Sequence, residues 1–154
     1  MMIFLIRHVH ARDGDDDAQR PLSDKGRRQI RTMARFLRRS GRFVTREFWH
    51  SPLVRARDTA SLLATAMKGE SRLVETAGLE PHADPAFMAE RLRRLRRSVA
   101  VVGHEPHLSA LATWLLLGRP GPPVIMLKKG AVAAFERKDG RWLLRWQVSP
   151  NEAA

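Results

Sequence analysis

The chain has 154 residues, 44% of them apolar, and its 28 lysines and arginines outnumber 16 acidic residues, which gives a formal net charge of +12. This length and composition predict a single folded domain over residues 1–154 and exclude a disordered tail. The absence of cysteine excludes disulfides, thiolate zinc sites and cysteine nucleophiles. The basic excess indicates a polyanionic partner, with nucleic acid among the candidates.

The first apolar run, residues 1–6, is too short for a signal peptide and has no basic segment before it. No run approaches the roughly 18 apolar residues of a membrane span. We therefore expect a soluble, cytoplasmic protein with no membrane contact.

The N-terminal third predicts a strand, a loop and a helix. Residues 2–6 form a continuous apolar run, which is typical of a strand covered on both faces. The acidic stretch 11–19 has no periodicity and predicts a mobile loop. Ser23 is the expected N-cap and Gly41 the expected end of a helix. The apolar residues of that helix recur at helical spacing: Ile30, Met33, Ala34 and Leu37.

The middle of the chain repeats this alternation. Residues 46–50 predict a second strand, and Pro52 suits the start of a helix. Residues 73–75 predict a short strand, residues 78–85 a loop, and residues 85–97 a helix. The residues expected to be buried are Leu53, Ala56, Ala60, Leu63 and Met67 on the first helix, and Met88, Leu92 and Leu95 on the second.

The C-terminal part predicts one more strand and helix and then three strands. Residues 99–102 form the second continuous apolar run, and the next helix buries Leu108, Leu111, Ala112 and Leu115 before it ends at Gly118. Strands are predicted over 124–127, 131–136 and 142–148. The Asp139-Gly140 pair predicts a hairpin between the last two.

Strands that alternate with helices predict an α/β fold. We expect a three-layer sandwich, with a mostly parallel central sheet flanked by helices and a C-terminal antiparallel hairpin.

Polar residues follow three of the predicted strands. The first strand ends in Arg7-His8, the strand over 99–102 ends in Gly103-His104, and the strand over 46–50 is followed by Arg55 one helical turn later. Ligands of an open parallel sheet bind beyond the carboxyl ends of its strands. We therefore expect these groups to meet at one edge, where two imidazoles among arginines would form an anion site with a nucleophile.

The expected electrostatics favour phosphoryl transfer. Arginine charges disfavour protonation of His8, so that the imidazole stays neutral and nucleophilic. Guanidinium groups hold phosphate oxygens bidentately and stabilise the loose transition state. The chain has no P-loop and no cluster with metal-ligand spacing, so we expect no metal and no cofactor.

Arg7-His8 resembles the Arg-His-Gly signature of the histidine phosphatase superfamily, whose fold is phosphoglycerate mutase-like. Four ordered blocks over nearly the whole chain are similar to its small branch, the SixA-type phosphohistidine phosphatases. Besides Arg7-His8, the blocks are 20–23 with Gly26, 51–56 with Thr59, and 102–106, and the segments 129–131 and 146–150 also fit.

The resemblance implies a role for each matching residue. His8 would be the nucleophile that takes the phosphoryl group as a phosphohistidine intermediate. Arg7 and Arg55 would clamp phosphate oxygens, and His104 would donate a further hydrogen bond to them. Arg20 would approach the same pocket and help to hold the phosphate or the substrate.

Two features depart from the family pattern. Val9 stands where the signature has glycine, and a valine would be strained if the backbone there needed a positive φ. We expect Val9→Gly to retain or raise activity. The SixA-type branch also lacks an evident carboxylic general acid, which fits an imidazole leaving group, and Glu80 and Glu105 remain candidates.

The leading prediction is a metal-independent phosphatase that acts on a phosphorylated histidine of a signalling or phosphocarrier protein. Short loops leave an open site that suits a protein substrate. The alternatives are a small-molecule phosphomonoesterase with the same His8 chemistry and a noncatalytic polyanion-binding module. The basic helices over 27–38 and 91–97 suggest the last, but the chain has no nucleic-acid-binding motif. The surplus charge is expected to steer an acidic phosphoprotein to the pocket.

Overall fold

Six strands form one mixed sheet in the computed structural model, which describes residues 1–154. The strands are β1 Met2–Arg7, β2 Glu47–His50, β3 Arg72–Glu75, β4 Val99–Gly103, β5 Val132–Lys138 and β6 Arg141–Val148. Their order across the sheet is β3-β2-β4-β1-β5-β6. The first four in that order are mutually parallel, whereas β5 is antiparallel to β1 and to β6.

Helices cover both faces of the sheet. They are α1 Asp24–Ser40, α2 Val54–Ala66, α3 Pro85–Arg94, α4 His107–Leu117 and the short α5 Pro150–Ala153. Successive side chains of β1 point to opposite faces, so Phe4 and Ile6 pack with α1 and α2 while Ile3 and Leu5 pack with α3 and α4. Two cores on one sheet make the three-layer α/β sandwich that the sequence predicts.

The helix ends follow the signals in the sequence. Ser23 caps α1 by accepting a hydrogen bond from Gly26 N at 3.0 Å, and Gly41 ends the helix with φ of 66°. Gly118 ends α4 in the same left-handed conformation. Asp139 and Gly140 both have positive φ, as a tight hairpin turn requires, and this turn joins β5 to β6.

The predicted strand over 124–127 is wrong: this segment has no strand pairing. Side chains from distant elements satisfy its backbone instead. Thr113 Oγ1 accepts from Val124 N at 3.2 Å, and Glu105 accepts from Leu127 N at 3.2 Å. The segment is therefore anchored irregular chain rather than a seventh strand.

Three further predictions need correction. The helix predicted to reach residue 97 ends at Arg94, because Leu95 turns to an extended conformation with ψ of 144°, although Leu95 remains buried. The predicted loop over 11–19 contains a short 3-10 helix, Asp17–Gln19. Helix α2 begins at Val54 rather than at the proline, and Leu53 and Met67 are only half-buried.

None of the helices combines the length and the apolar composition needed to cross a membrane.

Candidate active site

The carboxyl ends of three neighbouring parallel strands bring the predicted polar residues together. His8 follows β1, Ser51 follows β2 and His104 follows β4. The His8 and His104 rings lie 5.1 Å apart, centroid to centroid, and Ser51 Oγ lies 2.5 Å from His104 Nε2. The two histidines thus face each other at one edge of the sheet, where an open parallel sheet binds its ligands.

His8 has the protonation state of a nucleophile. Its ring is 6% exposed, and its Nδ1 lies 2.7 Å from the carbonyl oxygen of Val9. This carbonyl can only accept, so the neutral ring carries its proton on Nδ1 and a free electron pair on Nε2. Burial and, to a smaller extent, the charges of Arg55, Arg7 and Lys129 lower the pKa of His8 to about 4, although the hydrogen bond to Val9 opposes this shift. The arginine charges act in the direction that the sequence predicts, and burial is the larger cause.

Arg55 lies in the first turn of α2 and is as buried as His8. Its Nη1 donates to the carbonyl oxygen of Asp17 at 2.7 Å, and its Nη2 donates to the Asp17 carboxylate at 3.3 Å. Its Nε is buried and has no hydrogen-bond partner. The positive charge of Arg55 lowers the pKa of both His8 and His104 and so favours the neutral form of both rings.

Arg7 is oriented by the irregular segment over 124–127. Its Nη1 donates to the carbonyl oxygen of Leu127 at 2.9 Å, and its Nε is buried without a partner. Burial lowers the pKa of Arg7, and the charge of Glu105 opposes that shift. Because Glu105 also holds Leu127 N, one carboxylate both anchors the segment and balances the charge of the arginine.

His104 has one partnered and one unpartnered ring nitrogen. Its Nε2 shares a hydrogen bond with Ser51 Oγ, which also accepts from Leu53 N at 3.1 Å. Its Nδ1 is buried and has no partner. Burial lowers the pKa of His104 to about 3, with His8 and Arg55 adding to the effect, so the ring is neutral at pH 7.

Arg20 lies at the rim of the site and is joined to it through Asp17. Its Nη1 donates to the Asp17 carboxylate at 3.1 Å, and its Nε donates to the carbonyl oxygen of Arg12 at 2.8 Å. Asp17 therefore bridges Arg20 and Arg55, and the hydrogen bond from Arg20 is the largest cause of its lowered pKa. The sequence does not distinguish Asp17 from the other acidic residues of this loop, because no local pattern shows which carboxylate reaches the arginines.

Val9 is not strained. Only Lys68 and Asp139 have positive φ among the non-glycine residues, so Val9 adopts an ordinary backbone conformation. Its N–H donates to Thr59 Oγ1 at 3.2 Å, and that hydroxyl donates to the carbonyl oxygen of Arg55 at 2.7 Å. Thr59 thereby ties the turn after His8 to the helix that carries Arg55.

The two candidate general acids already serve structural contacts. Glu80 accepts a hydrogen bond from Gly78 N at 2.9 Å. The Glu105 carboxylate accepts from the backbone and hydroxyl of Ser109, in addition to Leu127 N.

No group of three or more metal-ligating side chains comes together in the structure. A cavity of about 620 Å³ between α3, α4 and the β5–β6 turn contains none of the candidate residues.

A neutral histidine lies beside guanidinium groups at the carboxyl edge of this sheet, an arrangement that can hold an oxyanion. The sequence profile of the histidine phosphatase superfamily (branch 1) matches residues 3–80, half of the chain, which include His8, Arg20 and Arg55. The chain belongs to this superfamily, and this membership makes it a phosphatase.

Full-length relatives place the chain with the SixA-type members. It is 28% identical over 156 residues to the phosphohistidine phosphatase SixA of Escherichia coli K12, a match that covers 97% of this chain and 94% of the relative. It is 31% identical to an uncharacterised protein of Picosynechococcus sp. PCC 7002, over 86% of this chain and 83% of the relative.

A solved structure shows the same likeness in three dimensions. The structure of the protein histidine phosphatase SixA complexed with tungstate superposes with a TM-score of 0.86, at 27% identity and with 98% of each chain covered. The phosphoglycerate mutase-like fold is therefore shown along the whole chain.

Proposed function

We propose that this protein removes the phosphoryl group from a phosphohistidine of a signalling or phosphocarrier protein, through a covalent intermediate on Nε2 of His8. The observation that carries the proposal is the state of His8: neutral, held through Nδ1 by the Val9 carbonyl, with Nε2 free. Three buried nitrogens without hydrogen-bond partners belong to the residues around it: Arg7 Nε, Arg55 Nε and His104 Nδ1. Similarity to a phosphohistidine phosphatase supports the choice of substrate.

In the first step the electron pair on His8 Nε2 attacks phosphorus and the P–N bond to the substrate ring breaks. A substrate ring protonated on its other nitrogen leaves as neutral imidazole, so no carboxylic acid has to assist. Arg7 and Arg55 balance the charge of the transferred group, and His104 donates a hydrogen bond to one of its oxygens.

In the second step water attacks phosphorus and the P–N bond to His8 breaks. Throughout the reaction His8 keeps its Nδ1 proton, which it donates to the Val9 carbonyl. The phosphorylated ring is therefore an imidazolium, and the ring leaves phosphorus as neutral imidazole. Both protons of the water depart with the phosphate. Because the ring already carries its Nδ1 proton, His8 leaves without a general acid having to protonate it.

The short connection from α2 to α3 supports a protein substrate. Residues 67–84 contain only the short strand β3 and a loop, so this connection adds no cap domain over the carboxyl edge of the sheet. The alternative, a small-molecule phosphomonoesterase, uses the same chemistry and differs only in what binds around the phosphate.

The test is hydrolysis of a phosphorylated histidine-containing carrier protein by wild type, by His8→Ala and by a control, His82→Ala, which changes an exposed histidine. We expect His8→Ala to lose activity at least about a thousandfold, as removal of a nucleophile does, while the control retains it. Quenched wild-type reactions should contain an acid-labile phosphoenzyme. Equal rates in wild type and His8→Ala would refute the mechanism, and a strong preference for sugar or nucleotide phosphates would refute the proposed substrate.

A further inference from the structure

A second cavity adjoins the phosphate site and has a strongly positive lining. Its volume is about 300 Å³, and its lining includes Arg7, His10, Lys25, Lys128 and Lys129 but no carboxylate. Arg7 also faces His8, so one guanidinium is common to the cavity and to the proposed phosphate site. An anion in this cavity would therefore lie next to the phosphoryl group.

The positive charges of this cavity have no counterions. None of its three lysines takes part in an ion pair or a side-chain hydrogen bond. In the basic 91–97 stretch, by contrast, three of the five arginines are ion-paired, Arg93 and Arg94 with Glu90 and Arg97 with Glu47. Three lysines without ion pairs thus lie together at this cavity.

The neighbouring acidic groups do not neutralise it. Burial, and then the charges of Arg7, Arg20 and Lys25, lower the pKa of Lys129. The charge of Asp13 opposes this shift, but Asp13 forms no ion pair with Lys129. Glu152 feels the charge of Lys128, yet its carboxylate accepts from the backbone and hydroxyl of Ser149. Like charges held together in this way favour an anion from outside the chain.

We infer that this cavity binds the carboxylate side chains of acidic residues that flank the phosphohistidine of the substrate protein. The inference rests on the proposed function, which supplies the phosphohistidine at His8. A volume of about 300 Å³ is at the lower limit of ligand sites and fits one or two side chains. Lysine is a flexible point charge and suits carboxylates of varied position better than one fixed bidentate partner. A second phosphate of a small molecule has similar chemistry, and the test separates the two.

The experiment compares two phosphohistidine peptides, one with Asp and Glu around the histidine and one with Asn and Gln in their places. Wild type is compared with the double variant Lys25→Gln/Lys128→Gln. The matched control is Lys68→Gln/Lys138→Gln, which removes the same charge at exposed positions at the opposite edge of the sheet. Free phosphohistidine serves as a substrate without flanking residues.

We expect wild type and the control to prefer the acidic peptide about fivefold through KM, the size of effect that two partly screened charge pairs produce. The cavity variant should lose this preference and keep its kcat on free phosphohistidine. Retention of the preference by the cavity variant, or equal loss in both double variants, would overturn the inference. So would a selective loss of turnover on a sugar bisphosphate in the cavity variant. Failure of wild type to hydrolyse both peptides and the phosphorylated carrier protein would instead overturn the proposed function, so the two failures are distinguishable.

Discussion

Val9 fits between two glycines. It is 1% exposed, and a Cβ added at Gly26 or Gly130 would lie 3.1 Å or 3.3 Å from its methyl groups. Val9, which stands in place of the signature glycine, fills the space next to Gly26 and Gly130. The bonds that matter for His8 come from the backbone of residue 9, whose carbonyl accepts from Nδ1 and whose N–H donates to Thr59.

Val9→Gly should therefore separate stability from catalysis. We expect the free energy of unfolding to fall by about 2–3 kcal/mol, from the lost methyl groups and the added backbone freedom of glycine. Because the backbone bonds are retained, kcat of the folded variant should equal or exceed that of wild type. Urea unfolding and kcat measured well below the melting temperature test both parts. An inactive but fully folded variant would mean that the valine side chain itself shapes the site.

Helix α1 docks on the turn after His8 through Gly26. A Cβ at this position would lie 2.1 Å from the carbonyl oxygen of His10, which no side-chain rearrangement can relieve because the obstacle is backbone. The same turn is held by His10 N donating to Gln29 Oε1 at 2.8 Å and by Ser23 N donating to the His10 carbonyl at 3.2 Å. The helix thus fixes the turn that carries the nucleophile.

Gly26→Ala should force α1 away from this turn. We expect a loss of about 1–3 kcal/mol in unfolding free energy, as overpacking produces, together with a lower kcat because His8 shifts. The control is Gly121→Ala, where a Cβ would meet no heavy atom closer than 3.7 Å. Chemical denaturation and steady-state kinetics of both variants are the measurements. A Gly26→Ala protein as stable and as active as the control would contradict the role assigned to this contact.

Helices and strands could be predicted from the sequence where local signals mark them. Helix α1 was predicted from its spacing, with Ser23 and Gly41 at its ends, because caps act within a few residues. The segment over 124–127 was mistaken for a strand because the residues that hold it, Thr113 and Glu105, are distant in sequence. The proximity of His8 and His104 could be predicted because both follow parallel strands. The ion pairs of Asp17 with Arg20 and Arg55 depend on the path of a loop, and no periodicity in the sequence encodes that path.

The molecule as a whole buries several neutral imidazoles. Burial is the main cause of the lowered pKa of His8, His104 and His107, whose usual value is 6.5. In the unfolded chain these rings bind protons as the pH falls through 6.5, whereas in the folded protein His8 does so near pH 4 and His104 near pH 3. The unfolded state therefore binds more protons in this window, and acidification favours it.

The buried histidines should thus lower the stability on acidification before the ion-paired carboxylates contribute to the loss. The paired carboxylates, such as Glu47 with Arg97, have pKa values below their usual 4.5, so their contribution is lost only at lower pH. Between pH 6.5 and 4.5, His8 and His104 each lower the unfolding free energy by up to about 1.4 kcal/mol per pH unit.

Urea unfolding at a series of pH values across this window tests the prediction. We expect a steep loss of stability in wild type and a smaller slope in His8→Asn, which removes one buried imidazole and keeps a polar side chain of similar size. His82→Asn, at an exposed position, controls for the loss of a histidine as such. A wild-type free energy of unfolding that stays level from pH 6.5 to 4.5 would contradict neutral burial of these rings, and with it the free electron pair on His8.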